Sequence, residues 1–171
     1  MYEAAMDVLK AAGYEHYEVS NFALRGHRCR HNMVYWRNEP YLGLGAAAAS
    51  DMNGERSVAV ADPAEYVARI RTGRSVVASS ERLGPADALA ETLMLALRLS
   101  DGFAMDSVQR SYGDRVSGGV SRAMASLVER NLLVEDHGRV RLTPTGLLFA
   151  DDVIAELMAQ IEESLRADSN R

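Results

Sequence analysis

Leu132-Leu133-Val134-Glu135-Asp136-His137-Gly138-Arg139-Val140-Arg141-Leu142-Thr143-Pro144 reads as two short strands folded about an Asp-His-Gly turn. Apolar residues recur on each side of the turn, as in a hairpin. Thr143 followed by Pro144 is a helix start, a side-chain cap with proline in the first turn. Outward from that hairpin the pattern becomes helical. The last helix runs over about 144–165, and the polar residues 166–171 are expected to fray. Upstream, Val116, Val120, Met124, Leu127 and Val128 form the inward stripe of a helix over about 115–130. A shorter helix is expected over 104–111. A core helix over 85–99 carries Ala86, Leu89, Ala90, Leu93, Met94 and Leu97. Its methionines read as gap fillers. Three helices, a hairpin and a closing helix are the layout of a winged-helix-like domain over 85–165.

That layout often reads DNA, and the charges argue against it here. Between 85 and 165 there are seven Arg, no Lys and thirteen Asp or Glu, a net charge of −6. The helix before the hairpin carries only Arg115, Arg122 and Arg130. A basic face is the electrostatic footprint of nucleic-acid binding, and none is present. The whole chain has net charge −5. No nucleic-acid partner is expected.

The first 60 residues have a different character. Residues 1–12 form an amphipathic helix on Ala5, Val8, Leu9 and Ala12, with Gly13 at its end. Tyr14–Phe22 alternates as a strand. Helix then strand is half of an α/β repeat, and such a strand wants parallel neighbours that the following residues do not offer. The chain is therefore expected to be a piece of something larger, with Met1 an internal methionine. Residues 23–61 are expected to be mostly loop. Asp62, Pro63 and Glu65 then make a capping box for a helix that ends at Gly73. Residues 74–84 read as a polar linker. The expected divisions are 1–60, 61–84, 85–165 and a tail of 166–171.

At 171 residues, with 47% hydrophobic and 25% charged residues, the composition is that of a globular protein with a sizeable core. One cysteine excludes an intramolecular disulfide and cannot hold an iron–sulfur cluster, which takes about three or four thiolates. No apolar run approaches the roughly 18 residues that span a bilayer.

Residues 26–50, GHRCRHNMVYWRNEPYLGLGAAAAS, hold the only Cys, the only Trp and two of the four His. His27, Cys29 and His31 are spaced two apart, so on an extended segment they leave the same side of the backbone. Imidazole and thiolate ligate heme iron and zinc. Tyr35 and Trp36 add two flat rings, which suit a macrocycle better than a bare ion. The competing reading is a packed loop with one aromatic pair. Gly43 and Gly45, followed by four alanines, permit a close backbone approach, either to a ligand or to a neighbouring strand. No third glycine opens a helix, so the run is not a dinucleotide fingerprint.

Read together, Gly13-Tyr14-Glu15-His16-Tyr17-Glu18-Val19-Ser20-Asn21-Phe22-Ala23, Cys29-Arg30-His31-Asn32-Met33-Val34-Tyr35-Trp36, Tyr41-Leu42-Gly43-Leu44-Gly45-Ala46 and Arg141-Leu142-Thr143-Pro144-Thr145-Gly146 resemble a known family. They are similar to the C-terminal portion of the oxygen-independent coproporphyrinogen III oxidase-like radical SAM proteins, and within them to the HemW-type heme-chaperone branch, which carries HNxxYW.

The resemblance implies a fold of α/β plus α+β. Residues 1–60 would be the last helix–strand unit and closing loop of a partial TIM-type barrel, and 85–165 the winged-helix-like C-terminal domain. It implies a heme-binding group of His31, Cys29, Tyr35 and Trp36, and a loop of Gly43, Gly45 and Ala49 in the vicinity of S-adenosylmethionine. The family usually has a histidine where this chain has Ala49. The implied cofactors are heme and, in the intact parent, a [4Fe–4S] cluster and SAM. The implied partners are heme-acceptor proteins and the N-terminal barrel, in the cytoplasm or peripherally at the inner membrane face. This piece by itself lacks the CxxxCxxC motif and is expected to do no radical chemistry. Two rivals stand beside this reading: a fragment of an oxygen-independent coproporphyrinogen III dehydrogenase of heme biosynthesis, and an acidic winged-helix protein-interaction module.

Overall fold

A computed structural model describes residues 1–169. The chain is mixed α/β and divides into two compact units, one formed by residues 1–37 with those from 89 onward, the other by 38–88. These units do not follow the expected divisions. Residues 1–37 join the C-terminal helices, because Tyr17, Ala23 and Met33 are buried in one cluster with Leu99.

The first helix, α1 (Tyr2–Ala11), forms as expected but has no buried residue. It leads through Gly13 at φ +84° into β1 (Tyr14–Glu18). The expected single strand over 14–22 is instead a hairpin: β1 pairs antiparallel with β2 (Asn21–Leu24), Glu15 opposite Ala23 and His16 opposite Phe22. The Glu18 carboxylate accepts from Ser20 N–H at 3.2 Å inside the turn. The other edge of β1 is satisfied by residues 98–100: Val19 N–H donates to the Arg98 carbonyl at 3.0 Å, and Ser100 N–H to the Tyr17 carbonyl at 3.1 Å. Parallel neighbours are not what completes this strand. Next comes α2 (Arg30–Trp36), a helix within the stretch expected to be loop.

The 38–88 unit is also more regular than expected. β3 (Ala49–Met52) and β4 (Glu55–Ala59) form a hairpin about Asn53-Gly54, both at positive φ, the residue pair most suited to a tight hairpin turn. Then come α3 (Pro63–Arg71) and β5 (Val77–Glu81), the latter in the stretch expected to be linker. The sheet order is β3-β4-β5, all antiparallel. Asp62 caps α3 by accepting from Ala64 N–H at 2.8 Å. Glu65 does not complete a capping box; it pairs with Arg69 one turn on.

The remainder is α4 (Pro85–Ala96), β6 (Phe103–Ala104), α5 (Met105–Tyr112), α6 (Asp114–Glu129), β7 (Leu133–Asp136), β8 (Arg139–Leu142), α7 (Pro144–Leu148) and α8 (Ala150–Ser169). The hairpin is as read, with Leu133 opposite Leu142, and β6 adds a third strand to give the order β6-β8-β7. Leu89, Leu93 and Leu97 from the first helix region, Val120, Met124 and Leu127 from α6, and Val153, Leu157 and Ile161 from α8 share one core with Leu133 and Val140. Val128, expected inward, is 39% exposed. The expected closing helix is broken at Phe149 into α7 and α8. Thr143 starts α7: its hydroxyl accepts from Gly146 N–H at 2.9 Å and donates to the Asn131 carbonyl at 2.7 Å. The tail expected to fray from 166 is helical to Ser169; its last two positions, 170 and 171, lie outside the described residues.

Candidate functional site

α2 sorts the aromatic and ligand-type residues of the 26–50 stretch onto two faces. Met33 is buried and Trp36 packs against the same cluster, so these positions, three apart, turn one side of the helix inward. His31 and Tyr35, four apart, lie on the exposed side. Their rings meet edge-on with centroids 4.8 Å apart, and Tyr35 Oη lies 3.2 Å from His31 Nε2. Cys29 is the N-cap, extended and exposed. His27 is also exposed, and its backbone N–H donates to the Leu24 carbonyl at 2.9 Å in the turn after β2.

The expected one-sided row of His27, Cys29 and His31 is therefore absent. Cys29 is extended, but His31 already belongs to the helix, so a period of two no longer relates the three side chains. Among the described residues no three His, Cys, Asp or Glu side chains converge as a metal site.

Trp36 has a different environment from His31. The Arg98 guanidinium lies over its ring at 5.9 Å from the centroid, a cation–π placement. Its indole N–H is buried and meets no acceptor among the described residues. Such an orphaned donor costs about 1–3 kcal/mol. Trp36 and the C-cap residue Arg37 form one wall of a cleft of about 270 Å³, completed by Leu99, Asp101, Phe103, Ser107 and Arg139 among others. Arg139 is fixed there by donating from Nε to the Asp101 carbonyl at 2.9 Å and from Nη2 to the Gly102 carbonyl at 3.1 Å. The Asp101 carboxylate is held by Arg28 at 2.8 Å, which also reaches Glu15 at 3.5 Å. Those carboxylates raise the pKa of Arg28, the hydrogen bond to Asp101 most of all. Apart from Trp36, none of these cleft residues was singled out from the sequence. Arg28 and Asp101 are 73 positions apart, and no local pattern joins them.

The glycine run has a structural explanation. A Cβ on Gly43 would overlap the backbone carbonyl of Ala49, so glycine is required by that close approach. Gly43 N–H donates to Ser50 Oγ at 3.0 Å and Gly45 N–H to Tyr66 Oη at 3.2 Å, so both amides are already engaged. Ala49 begins β3. His16, half-buried, stacks against Phe22 at 4.6 Å between centroids and lies 3.2 Å from Tyr2 Oη, which is a packing role. His137, at the hairpin tip, is solvated.

The architecture is shared with a known enzyme. Over 93% of this chain and 39% of the other, the fold matches the Escherichia coli coproporphyrinogen III oxidase HemN, a radical SAM enzyme, with a TM-score of 0.65 at 14% identity. Residues 83–149 match the HemN C-terminal domain family. The heme chaperone HemW of Synechocystis is 32% identical over 95% of this chain and 44% of its own length. That of Mycobacterium tuberculosis is 35% identical over 92% and 38%. A mouse mitochondrial radical S-adenosyl methionine domain-containing protein is 27% identical over 96% and 40%. The class is thus the C-terminal region of the HemN-type fold. Within it, the chain belongs to the family of HemW and HemN, over the part of those proteins that carries the HemN C-terminal domain. It spans about two-fifths of the length of the curated relatives it matches.

Proposed function

We propose that this chain is the C-terminal part of a HemW-type heme chaperone and carries the residue that first meets heme. The observation that supports it most is the position of His31. Its imidazole stands on the exposed face of α2, engaged among the described residues by the hydroxyl and ring edge of Tyr35, so iron can reach a ring nitrogen without unfolding anything. Cys29, exposed at the N-cap, and Tyr35 are the neighbours that would flank the porphyrin, while Trp36 braces the helix from inside. Helices α4–α6, the β6-β8-β7 sheet and α7–α8 would be the winged-helix-like domain of the parent. Residues from α1 to Trp36 would be the closing elements of its barrel.

The residues present do not fit a [4Fe–4S] cluster, because Cys29 is the single thiol. Cluster and SAM would be held by the remaining three-fifths of the parent, with Gly43, Gly45 and Ala49 in the vicinity of SAM. Heme is cargo in this reading. It would pass to heme-acceptor proteins in the cytoplasm or at the inner membrane face. No helix among the described residues is long and apolar enough to cross a membrane.

The test is a hemin titration followed at the Soret band, with the chain beside His31→Ala. Saturable binding weakened about ten-fold or more by the substitution is the expected result. Equal binding by both proteins would remove His31 from the site. Tyr35→Phe, which loses only the hydroxyl, should leave binding intact and change the ligand-field features of the spectrum.

A further inference from the structure

The exposed arc of α2 carries a cation that neither the fold nor the iron ligand uses. Between Arg25 and Asn38 the chain has four arginines and no carboxylate, although its net charge is −5. Two of these arginines are engaged: Arg28 pairs with Asp101 and Glu15, and Arg37 has a partner of its own. Arg25 and Arg30 are exposed, and their guanidinium groups meet no partner among the described residues. Arg30 is the first residue of α2, where the helix dipole disfavours a cation. Local folding gains nothing from a base at that position. On a helix of 3.6 residues per turn, Arg30 lies about 100° to one side of His31 and Tyr35 about 40° to the other. Met33 and Trp36 turn away from that arc toward the buried cluster. His31 therefore stands between a free cation and an aromatic ring edge, all three exposed.

We infer that Arg30 takes a propionate of the porphyrin whose iron meets His31, so that the acidic edge of the macrocycle lies on the Arg30 side of the imidazole, away from Tyr35. The inference rests on the heme reading above and adds the direction in which the ligand lies. A porphyrin with two propionates is amphiphilic, with both acids on one edge. Centred on His31, it extends past both flanks of the imidazole, and the long arginine stem lets the Arg30 guanidinium follow its edge. A guanidinium presents planar N–H donors that match a carboxylate, and the contact is charge-assisted. The opposite orientation would set a propionate against the Tyr35 ring and leave Arg30 unmatched. The net negative charge of the chain repels an acidic ligand, and the carboxylate-free 25–37 stretch lowers that repulsion locally.

The experiment compares hemin with hemin dimethyl ester, whose propionates are neutral, on the 171-residue chain. Soret titrations at low and high salt are run for the unsubstituted chain, Arg30→Gln, Arg30→Lys, Arg25→Gln and His31→Ala, with thermal melts to verify folding. Arg30→Gln is expected to weaken hemin about five-fold at low salt, the scale of an exposed ion pair, and less at high salt. Arg30→Lys keeps the charge and should recover most of that loss. The ester should bind the unsubstituted chain and Arg30→Gln alike. Arg25→Gln reads the general field of the stretch, and its loss should be the smaller one. A loss as large as that of Arg30→Gln would overturn the assignment to Arg30. An Arg30→Gln effect equal for hemin and ester, or none on hemin, would overturn the propionate contact. Each of these results leaves the heme reading standing if His31→Ala still loses the Soret change. Binding unaltered in His31→Ala overturns that reading, and the orientation of the porphyrin with it.

Discussion

Thr143 shows how much one side chain organises at this hairpin. It is 5% exposed, caps α7 through Gly146 N–H, and donates to the Asn131 carbonyl across the end of β7. Truncation removes a helix cap and takes the hydroxyl donor away from the Asn131 carbonyl. Thr143→Ala should therefore cost about 2 kcal/mol, and Thr143→Ser, which keeps the hydroxyl, less than half as much. Chemical denaturation of the two variants checks this, and equal losses would assign the effect to the methyl group instead. Gly146, two residues inside α7, is constrained as well: a Cβ there would overlap the Leu132 carbonyl. The Thr-Pro-Thr-Gly run is thus explained by packing of α7 on the strand end, and no ligand need be invoked for it.

Among the elements, α1 is the least anchored. It buries no residue, and its connection to the hairpin is the Tyr2 hydroxyl, which donates to the Val19 carbonyl at 2.6 Å beside His16. Burial raises the Tyr2 pKa above 10.0, and the Glu18 carboxylate adds to the rise. The folded state therefore holds the phenol proton more tightly than the unfolded chain does. Stability from this group is fully present below the unfolded value near pH 10 and is lost as pH climbs through the folded one. Alkaline titration by circular dichroism should show helix loss beginning above about pH 10, with that component missing in Tyr2→Phe. A titration identical in both proteins would separate α1 docking from the phenol. α2 differs in kind. Seven residues are too few to be helical alone, and Met33 with Trp36 supplies the tertiary contact that stabilises the turn pair.

For the molecule as a whole, the two units have unequal cores. In residues 38–88 only Val60 is a buried hydrophobic, whereas Leu42, Leu44 and Ile70 are each more than half exposed. The unit from 89 onward contains a continuous core with Leu93, Val120, Leu127, Val140 and Leu157 at essentially zero exposure. Local opening follows buried apolar contact. Amide exchange should therefore be fast through β3, β4 and β5 and slow through α6 and α8, by two orders of magnitude or more. Protection of β4 equal to that of α6 would contradict it. The first 37 residues are tied to Leu99, Arg98 and Asp101 by burial, backbone hydrogen bonds and an ion pair, so exchange there should lie between the two extremes.

What the sequence determined by itself is the helical and hairpin content of 85–165, because α4, α6 and β7–β8 repeat apolar residues at periods that a buried face imposes. It also determined the family, through HNxxYW and its companions, and the inability of one thiol to hold a cluster. It did not reveal β5, all five of whose residues are exposed and so show no alternation. The Asn53-Gly54 pair is a hairpin signal in the sequence, within a stretch whose other residues suggest loop. The sorting of α2 was not legible, since His31, Tyr35 and Trp36 look alike in a row until Tyr17, Ala23 and Leu99 choose the buried side. The cleft is the clearest case. Trp36, Asp101 and Arg139 are brought together by antiparallel pairing of Phe103 with Val140, by the bonds from Arg139 to the Asp101 and Gly102 carbonyls, and by the packing of Trp36 on the Leu99 cluster. Periodicity acts between near neighbours in sequence. A site assembled from residues about a hundred positions apart exists only once the chain has folded.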